Sequence, residues 1–217
     1  MDTLKKQVDY WNKVAPEKEF TTDFDLNLWR AQVDKSAQIL DVGCGYGRIL
    51  GQLKDAGYSN LHGIDFAQEM ILRGRALHPT VDFQTAPGDE MPFEKGSFDA
   101  VILFALLTCV VFEDAQRRIL DEVRRVLKPD GLLFINDFLL NDDARNLDRY
   151  AAARVKFANA LPYGVFELPE GALLRHHDES YLRELTSDFL TIRFERTRFR
   201  TMNGHESRGV FFLGRNP

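Results

Sequence analysis

ILDVGCGYGRIL (Ile39–Leu50), followed by GIDFAQEM (Gly63–Met70), decides how the rest of the chain is read. Ile39-Leu40-Asp41-Val42 has the make-up of a short buried strand. Gly43, Gly45 and Gly47 then make a turn that other residues tolerate poorly, and Tyr46, Ile49, Leu50 and Leu53 recur at helical spacing. Strand, glycine turn and helix start together bring backbone N–H groups close to a ligand. Asp65 closes a second apolar run, Leu61 to Ile64, where a carboxylate can grip a ribose diol. The two segments predict a site for a nucleotide-type cofactor.

A dinucleotide is the first candidate. Its G-x-G-x-x-G/A fingerprint needs a small last residue so that helix and strand pack closely. Counted from Gly43, that position is Arg48, and Gly47 falls one place early. A bulky Arg48 obstructs a pyrophosphate seated against the helix. The spacing G-x-G-x-G after an acidic residue instead resembles the first motif of class I S-adenosylmethionine-dependent methyltransferases. PGDEMPFEKGSFDAVILF (Pro87–Phe104) resembles that family's acidic, Pro-Phe and Ser-Phe-Asp block before its fourth strand. ILDEVRRVLKPDGLLFINDF (Ile119–Phe138) resembles the helix, Lys-Pro-x-Gly turn and fifth strand that follow. The resemblance covers about Ile39 to Phe138, with its motifs in the family's order, and beyond Phe138 it is a matter of pattern only. It implies an α/β, Rossmann-like, seven-stranded and mostly parallel sheet with helices on both faces and the last strand antiparallel. It also implies S-adenosyl-L-methionine as cofactor.

Bulk properties agree with one globular domain. At 217 residues, 44% hydrophobic and 28% charged, the chain has ample material for a core. Two cysteines, Cys44 and Cys109, argue against a disulfide scaffold and for a reducing cytosol, so a cytoplasmic protein is expected. No apolar run reaches the length of a membrane span, and Met1 to Lys6 is followed by no signal-peptide core. The net charge of -5 argues against a long phosphate-tracking surface and hence against nucleic acid as partner. A small-molecule substrate and a monomer or homodimer are expected.

Along the chain, residues 1–37 are expected to form a helical cap, with helices from Lys5 to Val14 and Asp25 to Val33. The cofactor-binding core spans 38–138, with strands at 38–42, 60–64, 81–84, 98–104 and 131–137 and helices at 46–56, 67–77 and 114–127. In the last helix Ile119, Leu120, Val123, Val126 and Leu127 form a stripe, leaving Arg117, Arg118, Arg124 and Arg125 as a solvated face. Residues 139–177 break the strand–helix rhythm and are read as an insertion over the carboxyl ends of the strands. There Leu147, Tyr150, Ala151, Val155 and Ala158 share a helical stripe, and Pro169-Glu170-Gly171 turns a hairpin. Residues 178–217 supply a helix capped by Asp178 and an edge hairpin, 190–200 with 207–214.

Each candidate site residue has a functional and a plainer reading. By resemblance the methionine end of the cofactor lies over Gly43, Gly45 and Gly47, and Asp41 helps hold its ammonium. Cys44 between the glycines is read as a small packing residue in the same loop. Asp65 by resemblance accepts both ribose hydroxyls, although Asp at that place also serves as a helix cap. Phe66 and Met70 then line the adenine face. Ala67 stands where serine is common, so the next helix lacks that cap. At the adenine end the usual acidic position holds Pro87, leaving either the Asp89 side chain or the backbone of Gly88 and Asp89 to meet the exocyclic amine. Phe104 matches the strand end beside the methionine moiety, or is core. Tyr10 and Trp11 either close over the sulfonium with their ring faces or staple the amino-terminal helices, as does Trp29. His176 and His177 are the candidates for a general base, against a plainer reading as surface histidines at a strand end. Asp137 ends a strand near the site without a paired Asp-Asn arrangement, and no Cys/His ligand spacing appears, so no metal is expected.

The expected activity is methyl transfer to a small molecule, at oxygen or nitrogen in preference to sulfur or carbon. Proximity and orientation supply most of the catalysis. The sequence has no Asn/Asp-Pro-Pro-Tyr/Phe motif of base-modifying enzymes. The rival readings are a non-catalytic cofactor-binding module, a protein or RNA methyltransferase docking through the arginines of 145–156, and a nicotinamide oxidoreductase, against which Arg48 and the Pro87–Phe104 block speak.

Overall fold

The computed structural model describes residues 2–201 and 204–217, so Met1 of the expected cap lies outside the described residues. Two helices come first, α1 (Asp2–Val14) and α2 (Leu26–Gln32). The alternating core follows: β1 (Ile39–Val42), α3 (Arg48–Asp55), β2 (Leu61–Asp65), α4 (Gln68–Leu77), β3 (Asp82–Thr85), β4 (Phe98–Phe104), α5 (Glu113–Val126) and β5 (Leu127–Phe138). A helix α6 (Ala144–Lys156) and a small hairpin, β6 (Val165–Glu167) with β7 (Leu173–Arg175), precede α7 (Glu179–Leu185). The chain then enters β8 (Leu190–Arg200) and β9 (Glu206–Arg215).

The sheet has seven strands in the order β3-β2-β1-β4-β5-β9-β8. β1 to β5 pair in parallel, and β9 runs antiparallel between β5 and β8. This is the Rossmann-like, seven-stranded and mostly parallel sheet expected from the sequence. The final hairpin therefore enters the sheet through its second strand, leaving β8 outermost. The fifth strand begins earlier than the sequence predicts, because Leu127 already pairs with Phe98 before an irregularity at Lys128–Gly131.

Alternation along the central strands sends side chains to two buried faces, as a helix-covered sheet requires. Leu40, Val42, Val101, Leu103, Leu133 and Ile135 meet Ile119, Leu120 and Val123 of α5 with Leu182 and Leu185 of α7. Ile39, Ala100, Ile102 and Phe134 meet Trp29 of α2, Ile49, Leu50 and Leu53 of α3, and Ile71 of α4. Trp29 is fully buried, 4.5 Å from Phe134 between ring centres. It belongs to the core and not to a cofactor cover. The arginines of α5 are tied down: Arg117 pairs with Glu184, Arg118 with Asp89, Arg124 with Asp188 and Arg125 with Glu122.

One expected stripe is displaced. On α6 the buried residues are Asn146, Tyr150 and Ala153, whereas Leu147 is 43% and Val155 82% exposed. The Tyr150 ring sets this face by packing against Phe166 of β6 and Tyr163. Asn146 is buried because it bonds to the helix-capping Asp143.

Candidate active site

The strands β1, β2, β4 and β5 end in a common cavity of about 160 Å³ that opens to solvent. Open α/β sheets hold ligands at this end. The loop after β1 supplies Asp41, Gly43, Cys44 and Gly45, the loop after β2 supplies Asp65 and Phe66, and α4 adds Met70. Phe104 at the end of β4, followed by Leu106, Thr108 and Cys109, makes the opposite wall with Phe138 and Leu174. Trp11 of α1 and Phe20 to Thr22, in the strap between α1 and α2, cover it.

The glycine turn has the backbone its sequence announces. Gly45 has φ 54° and Gly47 φ 77°, in the left-handed region that favours glycine. A Cβ on Gly45 would meet the Phe20 ring at 2.7 Å and one on Gly47 the Phe83 ring at 2.4 Å. Asp65 locks the turn to β2 by accepting from the Gly45 N–H at 3.0 Å and the Ala67 N–H at 2.8 Å. It thus braces the loop and the start of α4 while lining the cavity. Burial pushes the Asp65 carboxyl up to about 6, held back by those two N–H groups.

Asp41 is 2% exposed, and its Oδ1 has no hydrogen-bond partner. Burial pushes its carboxyl up to about 8, against the pull of the Arg48 cation. A buried polar atom without a partner is costly and calls for an explanation. A cationic group in the cavity provides one. The glycine turn, Asp41 and Asp65 therefore fit an adenosyl amino acid: a close backbone approach, an acceptor for an ammonium and a carboxylate at the second strand end.

The strap is fastened from below. Arg48 donates to Thr22 O at 2.6 Å and lies over the Phe104 ring. Phe20 stacks on Tyr46, 5.2 Å between centres, and its N–H donates to the Tyr46 hydroxyl at 3.1 Å. Arg73 lies over the Tyr46 ring, 4.0 Å from its centre, and donates to Ala15 O and Lys18 O. Gln7 of α1 joins three elements: its Nε2 donates to Cys109 O at 3.1 Å and Leu173 O at 2.6 Å, and its Oε1 accepts from Leu173 N.

Several expected site residues are not at the cavity. Tyr10 is buried against Trp11, edge to face at 5.0 Å, and braces that ring instead of reaching the ligand space. Asp89 turns outward to Arg118 at 3.1 Å, and a Cβ added at Gly88 would meet Val42 and Ile119. Neither lines the cavity. The two histidines match neither of their readings, since both are buried and neither borders the cavity. His176 Nδ1 is 2.6 Å from the Tyr150 hydroxyl. His177 is held by Gln116 at 2.8 Å, and its backbone bridges to Leu139 beyond β5. Burial, reinforced by Arg149 for His176 and Arg175 for His177, pulls both imidazoles down to about 3. They are neutral structural groups.

Other residues went unread. Phe20 to Thr22, Leu106 to Cys109 and Leu174 carry no motif, Phe138 is legible only as the end of the fifth-strand motif, and Gln7 acts through partners more than 100 positions away. Arg48 was visible only as an obstacle to pyrophosphate. Among the described residues no group of three or more His, Cys, Asp or Glu could hold a metal ion, and no helix is long and apolar enough to cross a membrane.

Comparisons with known proteins meet this geometry. A family model described as a methyltransferase domain matches residues 40–135. An O-methyltransferase, resE, of Aspergillus sclerotiorum is 30% identical over 154 residues, 66% of this chain and 57% of that protein. A demethylmenaquinone methyltransferase of Renibacterium salmoninarum is 30% identical over 138 residues, 59% and 56% of the two chains. The chain thus spans a little over half the length of these curated relatives. A solved structure of a SAM-dependent methyltransferase from Methanosarcina mazei superposes with a TM-score of 0.82 at 25% identity, covering 89% of this chain and 98% of that one.

Proposed function

We propose, from the premise that this chain belongs to the class I S-adenosylmethionine-dependent methyltransferase superfamily, that it transfers a methyl group from S-adenosylmethionine to a small-molecule acceptor at oxygen or nitrogen. The observation that carries the reading is the buried Asp41 carboxyl, its Oδ1 without a partner, in a residue that borders a glycine-lined cavity. The relatives named O-methyltransferase and demethylmenaquinone methyltransferase support a small acceptor. Free Cys44 and Cys109 suit a reducing compartment such as the cytoplasm.

In this reading Asp41 accepts from the ammonium of the bound cofactor and Asp65 from its ribose hydroxyls, with the Gly43–Gly45 backbone beneath. Phe66 and Met70 flank the adenine, and the Trp11 and Phe20 rings offer faces to the positive sulfur end. When bound, S-adenosylmethionine supplies a methyl group already activated by its sulfonium. The residues around it orient the acceptor. Among the described residues lining the cavity there is no histidine, lysine, glutamate or tyrosine, so positioning carries the rate.

Calorimetry with S-adenosylhomocysteine, followed by transfer of radiolabelled methyl groups to a metabolite library, tests the proposal. Binding and a labelled small molecule are expected. Absence of any heat or thermal shift rejects it, and binding with label only in protein or RNA moves the acceptor to a polymer.

A further inference from the structure

The two walls of the cavity differ in kind. Asp41, Asp65 and Arg48 all belong to the side built on β1 and β2. The side built on β4, β5 and the β6–β7 hairpin presents Leu106, Cys109, Phe138 and Leu174. Its polar groups are already engaged within the protein. The Thr108 N–H donates to Asp137 at 3.2 Å, and the Thr108 hydroxyl donates to Arg175 O at 2.7 Å. The Cys109 thiol donates to Ala105 O, and Cys109 O accepts from Gln7. Burial, with the Asp137 charge adding to it, holds the Cys109 thiol above its ordinary range, so it stays protonated. His176 and His177 face away into their own buried networks.

We infer, resting on the methyltransferase reading, that the acceptor is an uncharged, largely apolar aromatic compound, methylated at a phenolic or enolic hydroxyl or a ring nitrogen that gives up its own proton. A charged acceptor lodged against Leu106, Cys109, Phe138 and Leu174 loses its hydration and meets no counter-charge or free hydrogen-bonding group among them, the Arg48 cation lying at Phe104 and donating to Thr22 O. A flat apolar ring buries its faces against Phe138, Leu174 and Leu106 and leaves no polar atom unpaired. An aliphatic alcohol needs a base that the wall does not hold. In the transfer the acceptor's lone pair forms the bond to the methyl carbon. The carbon–sulfur pair returns to sulfur, giving the thioether S-adenosylhomocysteine, and the acceptor's proton leaves to water.

The test begins with calorimetry of S-adenosylhomocysteine, whose failure would strike the methyltransferase reading itself. Protein saturated with that ligand is then titrated with 2-naphthol and with 6-hydroxy-2-naphthoate, which differ by one carboxylate. Binding of the neutral probe roughly tenfold or more tightly than the anion is expected. Leu174, half-buried in the hairpin wall, allows a second measurement. Leu174→Asp is expected to weaken 2-naphthol by roughly tenfold and Leu174→Asn by less, each leaving S-adenosylhomocysteine affinity within roughly twofold. Equal or tighter binding of the carboxylate, no binding of 2-naphthol, or indifference to Leu174→Asp overturns the inference. The matched-probe comparison on the unaltered protein stands if the variant does not fold.

Discussion

Asp41 is the residue on which most turns. With Oδ1 unpartnered and its carboxyl pushed up to about 8 by burial, it is protonated in the free protein at neutral pH. An arriving ammonium favours the carboxylate, so binding at about pH 7 to 8, above the Asp65 value of about 6, expels a proton from Asp41. Affinity for S-adenosylhomocysteine is therefore expected to climb with pH toward 8. Calorimetry in buffers of different ionisation enthalpy should show the released proton, and Asp41→Asn should abolish it. Asp65→Ala should cost more affinity, about 2–4 kcal/mol, because it removes charge-assisted bonds to the ligand and also releases the Gly45 and Ala67 N–H groups. A dissociation constant unchanged in Asp65→Ala would remove that carboxylate from the site. Asp41 and Asp65 were legible in the sequence because each sits next to its own strand end, so local pattern fixes their positions. His176 and His177 were not legible. Adjacent polar residues after a hairpin look exposed, and only the bridge to Leu139 and the packing of α6 reveal their burial.

Among the elements, the cover of the site depends on contacts made across the chain. α1, the turn at Leu107–Cys109 and the β6–β7 hairpin converge on the Gln7 amide, which is 6% exposed. Gln7→Ala removes these bonds and should loosen α1 from the hairpin, at about 1–3 kcal/mol. Dissociation of S-adenosylhomocysteine followed by stopped flow is expected to accelerate several-fold, by about 0.6–1.4 kcal/mol of barrier. An unchanged rate would mean that the cover does not gate exchange. Gln7 in a polar amino-terminal stretch carries no sequence signal, because its partners appear only when the hairpin folds over the sheet. The strands and α5 were legible for the opposite reason, since their burial follows a period of two or of about 3.6 within a few residues. On α6 the periodicity misled, as the short stretch allowed two overlapping faces and Tyr150 chose the one containing Asn146 and Ala153.

For the whole molecule, buried titrating groups set how stability follows pH. The carboxyls of Asp41, Asp65 and Asp137 are raised to about 8, 6 and 7. Their contribution is complete below the ordinary carboxyl range and is lost as pH rises through those values. His176 and His177, lowered to about 3, contribute above the ordinary imidazole range and lose that contribution as pH falls. The two sets oppose one another between about pH 4 and 6.5, and above that only the carboxyls still titrate. The thermal midpoint of the free protein is therefore expected to fall between about pH 6.5 and 8.5, less steeply in Asp41→Asn, and a rising midpoint would contradict the assignment. A last consequence follows from β8 lying outermost. Its free edge is a row of unsatisfied amides and carbonyls on which a foreign strand could polymerise. The strand carries Arg193, Glu195, Arg196 and Arg198, held in ion pairs with one another or with Glu179 and Glu206. These charges act as insulation against fibre growth. Replacing Arg196 and Arg198 with valine is expected to turn a clear solution turbid on standing while leaving the circular dichroism of the fresh protein unaltered.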